Sequence, residues 1–205
     1  MVIPRTSLRR WFRFSWAAFC LLFAVVAHAT SVVPPKFAEL VAEAQVIVRA
    51  KVTQVACVWV DTPQGRVIKT NVTLTVAKVI KGSADKEMTL QFLGGEIDDQ
   101  VMRVAGMPQF AVGQTDIVFV TGNGVKFCPL VGMMHGRYRV KVDAATQREF
   151  IARDDGVPLE DVSEVQLQQN VSSIVTRGKS AAAALTPDVF EQKIKEEASR
   201  HAALP

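Results

Sequence analysis

The stretch QVIVRAKVTQVACVWV, residues 45–60, constrains the fold of this chain more than any other. Sixteen residues rich in β-branched side chains, with no helical repeat, read as one long strand. The cluster Asp61-Thr62-Pro63-Gln64-Gly65 then supplies turn chemistry. TNVTLTVAKV, 70–79, answers it with strict alternation: Val72, Leu74 and Val76 share one face, and Asn71, Thr73 and Thr75 share the other. A long hairpin is therefore expected at the centre of the molecule. MTLQFL (88–93), VMRV (101–104), DIVFV (116–120), GRYRVKV (136–142) and REFIA (148–152) add further strands, separated by glycine-rich turns. There is no βαβ alternation and no internal repeat. The expected fold is mainly β: a small closed or partly open antiparallel barrel.

Helices are expected at both ends of this β region. Phe37, Leu40, Val41 and Ala44 fall at i, i+3, i+4 and i+7, which predicts a short helix over 36–44. Near the C-terminus Thr186 is an N-cap residue, Pro187 suits the first helical position, and Asp188 lies in the first turn. Phe190, Ile194 and Ala198 then mark an amphipathic helix to about His201. The reading is thus a leader over 1–29, a β domain over 30–160 with its N-terminal helix, and a linker and helical tail over 161–205.

The leader reading rests on Arg5, Arg9, Arg10 and Arg13, followed by the apolar run Trp16 to Val26 and the small-x-small triplet Ala27-His28-Ala29. That pattern predicts Sec export, with cleavage before Thr30 and a periplasmic or extracellular destination. Arg9-Arg10 approaches a twin-arginine signal, but Leu8 and Arg13 depart from it. No stable membrane span is expected after cleavage. Without the four leader arginines, 20 basic residues face 20 acidic ones. The charge surplus belongs to the leader, so a nucleic-acid partner is not expected.

Export to an oxidising compartment bears on Cys57 and Cys128, the two cysteines beyond the leader. A disulfide between them is expected, and the long loop it closes corresponds to about 4 kcal/mol of stabilisation. The alternatives are reduced, buried cysteines and a catalytic cysteine in FCPLVGMMHG, 127–136. His135 lies seven residues after Cys128, on the opposite face of an extended strand and well over about 10 Å along it. Pro129 also suits an edge or bulge better than a nucleophile's helix. No catalytic residue, cofactor site or metal site is assigned. HExxH and paired CxxC motifs are absent. Glu96, Asp98 and Asp99 form an acidic loop read as a solvated turn, with a hard cation left open. Asp154-Asp155-Gly156 reads as a turn, and Met102, Met107, Met133 and Met134 read as packing residues. The candidate binding loop is Gly106-Met107-Pro108-Gln109-Phe110, for which Gly106, Met107, Pro108 and Phe110 are the named residues.

The segments TSVVPPKFAELVAEAQVIVRAKV, VTLTVAKVIKG, LGGE, AGMPQFAVGQ and FCPLVGMMHGRYRV resemble a group of exported bacterial proteins of about this length. That resemblance implies export and no particular activity. The order of a helix, VIVRAKV and a VTLTVAKVIKG hairpin is also similar to netrin-like domains, oligonucleotide-binding-type barrels that include tissue inhibitors of metalloproteases. It implies a five-stranded barrel with flanking helices. The cysteine with which those inhibitors start is missing, since Thr30-Ser31 stands there. The functional expectation is an exported non-enzymatic module that binds a protein, peptide or envelope component. A hydrolase inhibitor working through the loop 106–113 is the first alternative, and it requires an exposed apolar tip. An enzyme of unrecognised type is the second, and it requires a cleft where His135 meets two carboxylates or Tyr138.

Overall fold

A computed structural model describes residues 34–167 and 179–203. The leader over 1–29 and the segment 168–178 lie outside them. The central hairpin is the expected one, and longer. Strand β1 runs Val46–Thr62 and β2 runs Gly65–Lys81. They pair antiparallel down to Thr62 opposite Gly65, around Pro63-Gln64. Three register irregularities, the last between Val52 and Gln54, punctuate the ladder. Such bulges bend and twist a ribbon, which lets a hairpin of this length wrap around a core.

Four more strands complete the main sheet: β3 (Glu87–Leu93), β6 (Thr115–Val120), β7 (Arg137–Val142) and β8 (Glu149–Arg153). All pairs are antiparallel, in the order β3-β2-β1-β6-β7-β8. A separate two-stranded hairpin, β4 (Gly95–Ile97) and β5 (Gln100–Met102), stands outside it.

The sheet is open, so of the closed or partly open barrel that was expected the closed form is not found. Its end strands β3 and β8 do not pair; each is covered by irregular chain instead. On β3, the Leu93 N–H donates to the Phe127 carbonyl (2.8 Å), and Asn123 accepts from the Gln91 N–H and donates to the Thr89 carbonyl. Pro129 lacks an amide hydrogen, and Gly122, Gly124 and Gly132 adopt positive φ, so 121–132 caps the edge without becoming a strand. On β8, the Ile151 N–H donates to the Leu185 carbonyl, and its own carbonyl accepts from Leu159. FCPLVGMMHG is part of that cap: Leu130 bridges to Val120, and Met133–Gly136 forms a 3-10 turn.

The core is split by the sheet. Strand β6 is buried on both faces, as its apolar run IVFV, 117–120, requires. Ile117 and Phe119 join Leu40, Val41, Tyr138, Ile151, Phe190 and Ile194 in one cluster. Val118 and Val120 join Val48, Val72, Leu74, Leu90, Phe92 and Cys128 in the other.

Both helices close the first face. Helix α1 (Phe37–Glu43) is only seven residues long. The Lys81 ammonium donates to the carbonyls of Val41, Ala42 and Ala44, satisfying groups its C-terminal end would leave bare. Helix α2 (Pro187–Ala202) starts at the expected cap, where the Thr186 hydroxyl accepts from the Val189 N–H. It docks against the sheet through Phe190, whose ring centroid lies 4.9 Å from that of Tyr138 and 5.9 Å from that of Phe37. Glu191, 1 % exposed, enters beside them, with Lys78 Nζ at 2.5 Å and Arg49 at 3.8 Å. Among the described residues, no helix is long and apolar enough to cross a membrane.

Candidate functional site

Among the described residues, no helix covers the second face. Chain leaving β3 turns at Gly94-Gly95, forms the β4–β5 hairpin and returns over the sheet to β6. Beneath it lies a half-open cavity of about 560 Å³, within the usual range for ligand sites. Val55 and Cys57 of β1, Thr70 and Val72 of β2, and Phe92 of β3 line the sheet side. Met102, Val104, Met107, Pro108 and Phe110 line the other. Glu96 and Arg103, both exposed, are the charged lining residues.

Local sequence explains how the covering segment is held. The Gly94 N–H donates to the Ile68 carbonyl (2.8 Å), and the Thr70 hydroxyl donates to the Gly94 carbonyl (2.7 Å). Gly95 has φ 142, and a Cβ there would stand 2.6 Å from Thr70 Oγ1 and 2.7 Å from Cys57 Sγ, so only glycine fits this close crossing. At the other end, the Val52 N–H donates to Gln114 and the Val52 carbonyl accepts from Gly113. Phe110 packs its ring on Phe92, with centroids 5.2 Å apart.

A buried arginine anchors this loop from behind. Arg137 is 1 % exposed. Its guanidinium reaches Asp116 (3.0 Å), Asp154 (2.9 Å), the Gln114 side chain (2.8 Å) and the Gln109 carbonyl. It also stacks 4.1 Å from the Phe110 ring centroid. Burial pushes the carboxyls of Asp116 and Asp154 above the usual range, an effect that the Arg137 charge only partly offsets.

Of the named loop residues, Met107, Pro108 and Phe110 line the cavity, while Gly106 sits against the methyl groups of Met133 and Met134. The expected tip points inward: among 106–113, Val112 is the large apolar side chain open to solvent, 64 % exposed. The acidic loop is the turn of the β4–β5 hairpin, with Asp98 at φ 51. Among the described residues no three His, Cys, Asp or Glu side chains gather as metal ligands.

The expected disulfide is not formed. Cys57 and Cys128 are both free thiols. Cys57 pairs across to Thr70, Thr70 to Phe92, and the chain beside Cys128 meets the far edge of β3. Two strands thus stand between them, roughly 14 Å along the sheet at about 4.8 Å per step. A bridge needs Cα atoms within about 7 Å. The Cys57 thiol lies at the cavity, 3.4 Å from Thr70 Oγ1. The Cys128 thiol is 4 % exposed, and burial pushes it up to about 11.

His135 is also buried, and burial together with the Arg153 charge lowers its pKa. Tyr138, 1 % exposed, is raised by burial and faces Phe190 of α2. The turn Asp154-Asp155 is where it was expected, but its carboxylates point inward to Arg137 and Arg153. None of these groups lines the cavity. The sequence reading missed the β4–β5 wall and the arginine anchor. Gly94-Gly95 followed by EIDDQVM was the available signal for the first. No known protein family and no curated protein sequence matches the chain.

Proposed function

We propose that the protein is an exported, non-enzymatic binding module whose ligand places an apolar portion in the cavity beneath the β4–β5 hairpin. The observation that carries this reading is the cavity itself: apolar side chains from β1, β2 and β3 on one side, Met102, Met107 and Phe110 on the other, with Glu96 and Arg103 as the charged lining groups. The carboxylates of Asp116, Asp154 and Asp155 stand outside the cavity lining, each paired with an arginine, while Cys57, Glu96 and Arg103 are the titratable groups that line it. A protein, a peptide or an envelope component with an apolar side group meets the chemical requirement. Export through Sec to the periplasm or the exterior is part of the proposal.

The finer likeness to a netrin-like barrel belongs here too. It is supported by the helix-then-long-hairpin order and by the hydrogen bonds from 123–127 onto β3; the open sheet limits it to a partly open version. A hydrolase-inhibiting wedge at 106–113 fits less well, because Met107, Pro108 and Phe110 face the cavity.

The test uses phenylnaphthylamine, an apolar dye that fluoresces out of water. The protein should bind it saturably, and Val55→Phe, which enlarges a wall side chain, should weaken binding by about tenfold, or about 1.4 kcal/mol. Absence of saturable binding, or binding indifferent to Val55→Phe, would remove the cavity from consideration.

A further inference from the structure

Strand β1 changes status along its length. From Val46 to Lys51 it is an interior strand, flanked by β2 and β6. At Val52 its outer edge is met by Gly113 and Gln114. From Gln54 to Thr62 it pairs with β2 alone, because β6 has ended. Among the described residues, no hydrogen bond reaches this outer edge. The open ladder is about 30 Å long at roughly 3.3 Å per residue.

Exposed edges of this length are normally guarded by lysine, proline or an inward charge. Here Gln54 to Val60 reads QVACVWV, without charge or proline, the charge of this edge being Asp61 near its end, and Val58 is 36 % exposed. The same stretch lines the cavity through Val55 and Cys57. Open backbone groups and an apolar cavity therefore meet on one strand. That combination is what strand-addition recognition uses: the main chain of an extended peptide completes the ladder, and its alternate side chains enter pockets.

Resting on the cavity reading above, we propose that the ligand is an extended polypeptide segment that adds as a strand to the outer edge of β1 at 54–62 and seats apolar side chains, two residues apart, in the cavity. A second copy of this chain suits the place less well. In a β1–β1 pair, Val55 and Cys57 of each copy would remain walls of their own cavity, and both cavities would stay unfilled. Low charge along 54–60 also favours a segment that is itself apolar and uncharged over this span. Arg66 stacks on Trp59, 4.7 Å from its ring centroid, so a strand arriving here would alter the surroundings of a fluorescent side chain.

The experiment selects binders from a displayed library of ten-residue peptides with apolar residues fixed at alternate positions. The best binder is then synthesised in three forms: unmodified, and N-methylated on either alternate set of amides. An added strand offers only one set to β1. The expected result is that one methylated form loses at least tenfold in affinity, the other binds nearly as the parent, and the parent displaces phenylnaphthylamine and shifts Trp59 emission. Equal binding by all three forms overturns strand addition. Dye binding with no peptide selected also overturns it, while leaving the cavity reading intact; failure of both dye and peptide removes both. A concentration-dependent dimer in sedimentation that Val58→Lys splits would make a second copy the occupant and overturn the peptide assignment.

Discussion

Replacing Arg137 by methionine tests how the covering loop is held. The side chain is 1 % exposed and carries a charge opposite two carboxylates, so methionine fills much of the volume and removes every polar contact. Asp116 is equally buried, and among the described residues its Oδ1 has no hydrogen-bond partner even with Arg137 present. Breaking a buried pair from one side costs about 3–5 kcal/mol, because the remaining charge is stranded. Asp154, with 18 % of its side chain exposed, adds less. The loss is a large fraction of the ~5–15 kcal/mol typical of a domain. It should be read by urea denaturation with an unchanged slope. The sign with pH follows from the carboxyls. Burial already raises Asp116 and Asp154, and removing Arg137 raises them further, so protonation relieves the penalty. The destabilisation by Arg137→Met should therefore be largest above neutral pH and shrink as pH falls. Adding Asp116→Asn to Arg137→Met should recover part of the loss. A penalty below about 1 kcal/mol, or a double variant no better than the single one, would refute the anchor.

Two further outcomes follow from buried and half-buried groups. In the native protein a small thiol reagent should modify Cys57, and ligand or dye in the cavity should slow that reaction, whereas Cys128 should react only on unfolding; peptide mapping distinguishes the sites, and rapid native labelling of Cys128 would contradict its burial. His135 is held below its ordinary value of 6.5, so the unfolded chain takes up a proton first as pH falls. Its stability contribution is complete above about pH 6.5 and is lost toward the depressed value, with a slope of at most about 1.4 kcal/mol per pH unit. His135→Gln should flatten that part of the stability profile, and an unchanged profile would count against the assignment.

Much of the fold was legible because alternation and turn chemistry agree. QVIVRAKV and VTLTVAKV specify strands whose pleat leaves no second choice, and TPD at 186–188 specifies a helix start. Closure was not legible. Whether β3 meets another strand depends on 121–132, where Pro129 and three positive-φ glycines turn an apolar segment into a cap. The disulfide reading failed for a related reason: parity and compartment count cysteines, but only the ladder shows two strands between them. The candidate loop was recognisable by Gly-x-Pro and an aromatic, yet its direction was not, because Phe110 is turned inward by Phe92 and by Arg137, a residue distant in sequence.

The two faces of the sheet are finished differently, and that difference carries the functional reading. On one, α1 and α2 bring large aromatic side chains and seal the core, with Lys81 satisfying the carbonyl end of α1 and Glu191 ion-paired to Lys78 of β2. On the other, the cover is a thin hairpin and loop pinned at Gly94-Gly95, at Val52 and at Arg137, with space left beneath it. A cover of this kind needs a rigid anchor, since two-stranded ribbons are marginal alone. The buried Arg137 supplies it through the Gln109 carbonyl, the Gln114 side chain and the Phe110 ring. Where that cover stops short of the outer part of β1, backbone groups and cavity walls become available together, and a ligand that uses both must be an extended chain.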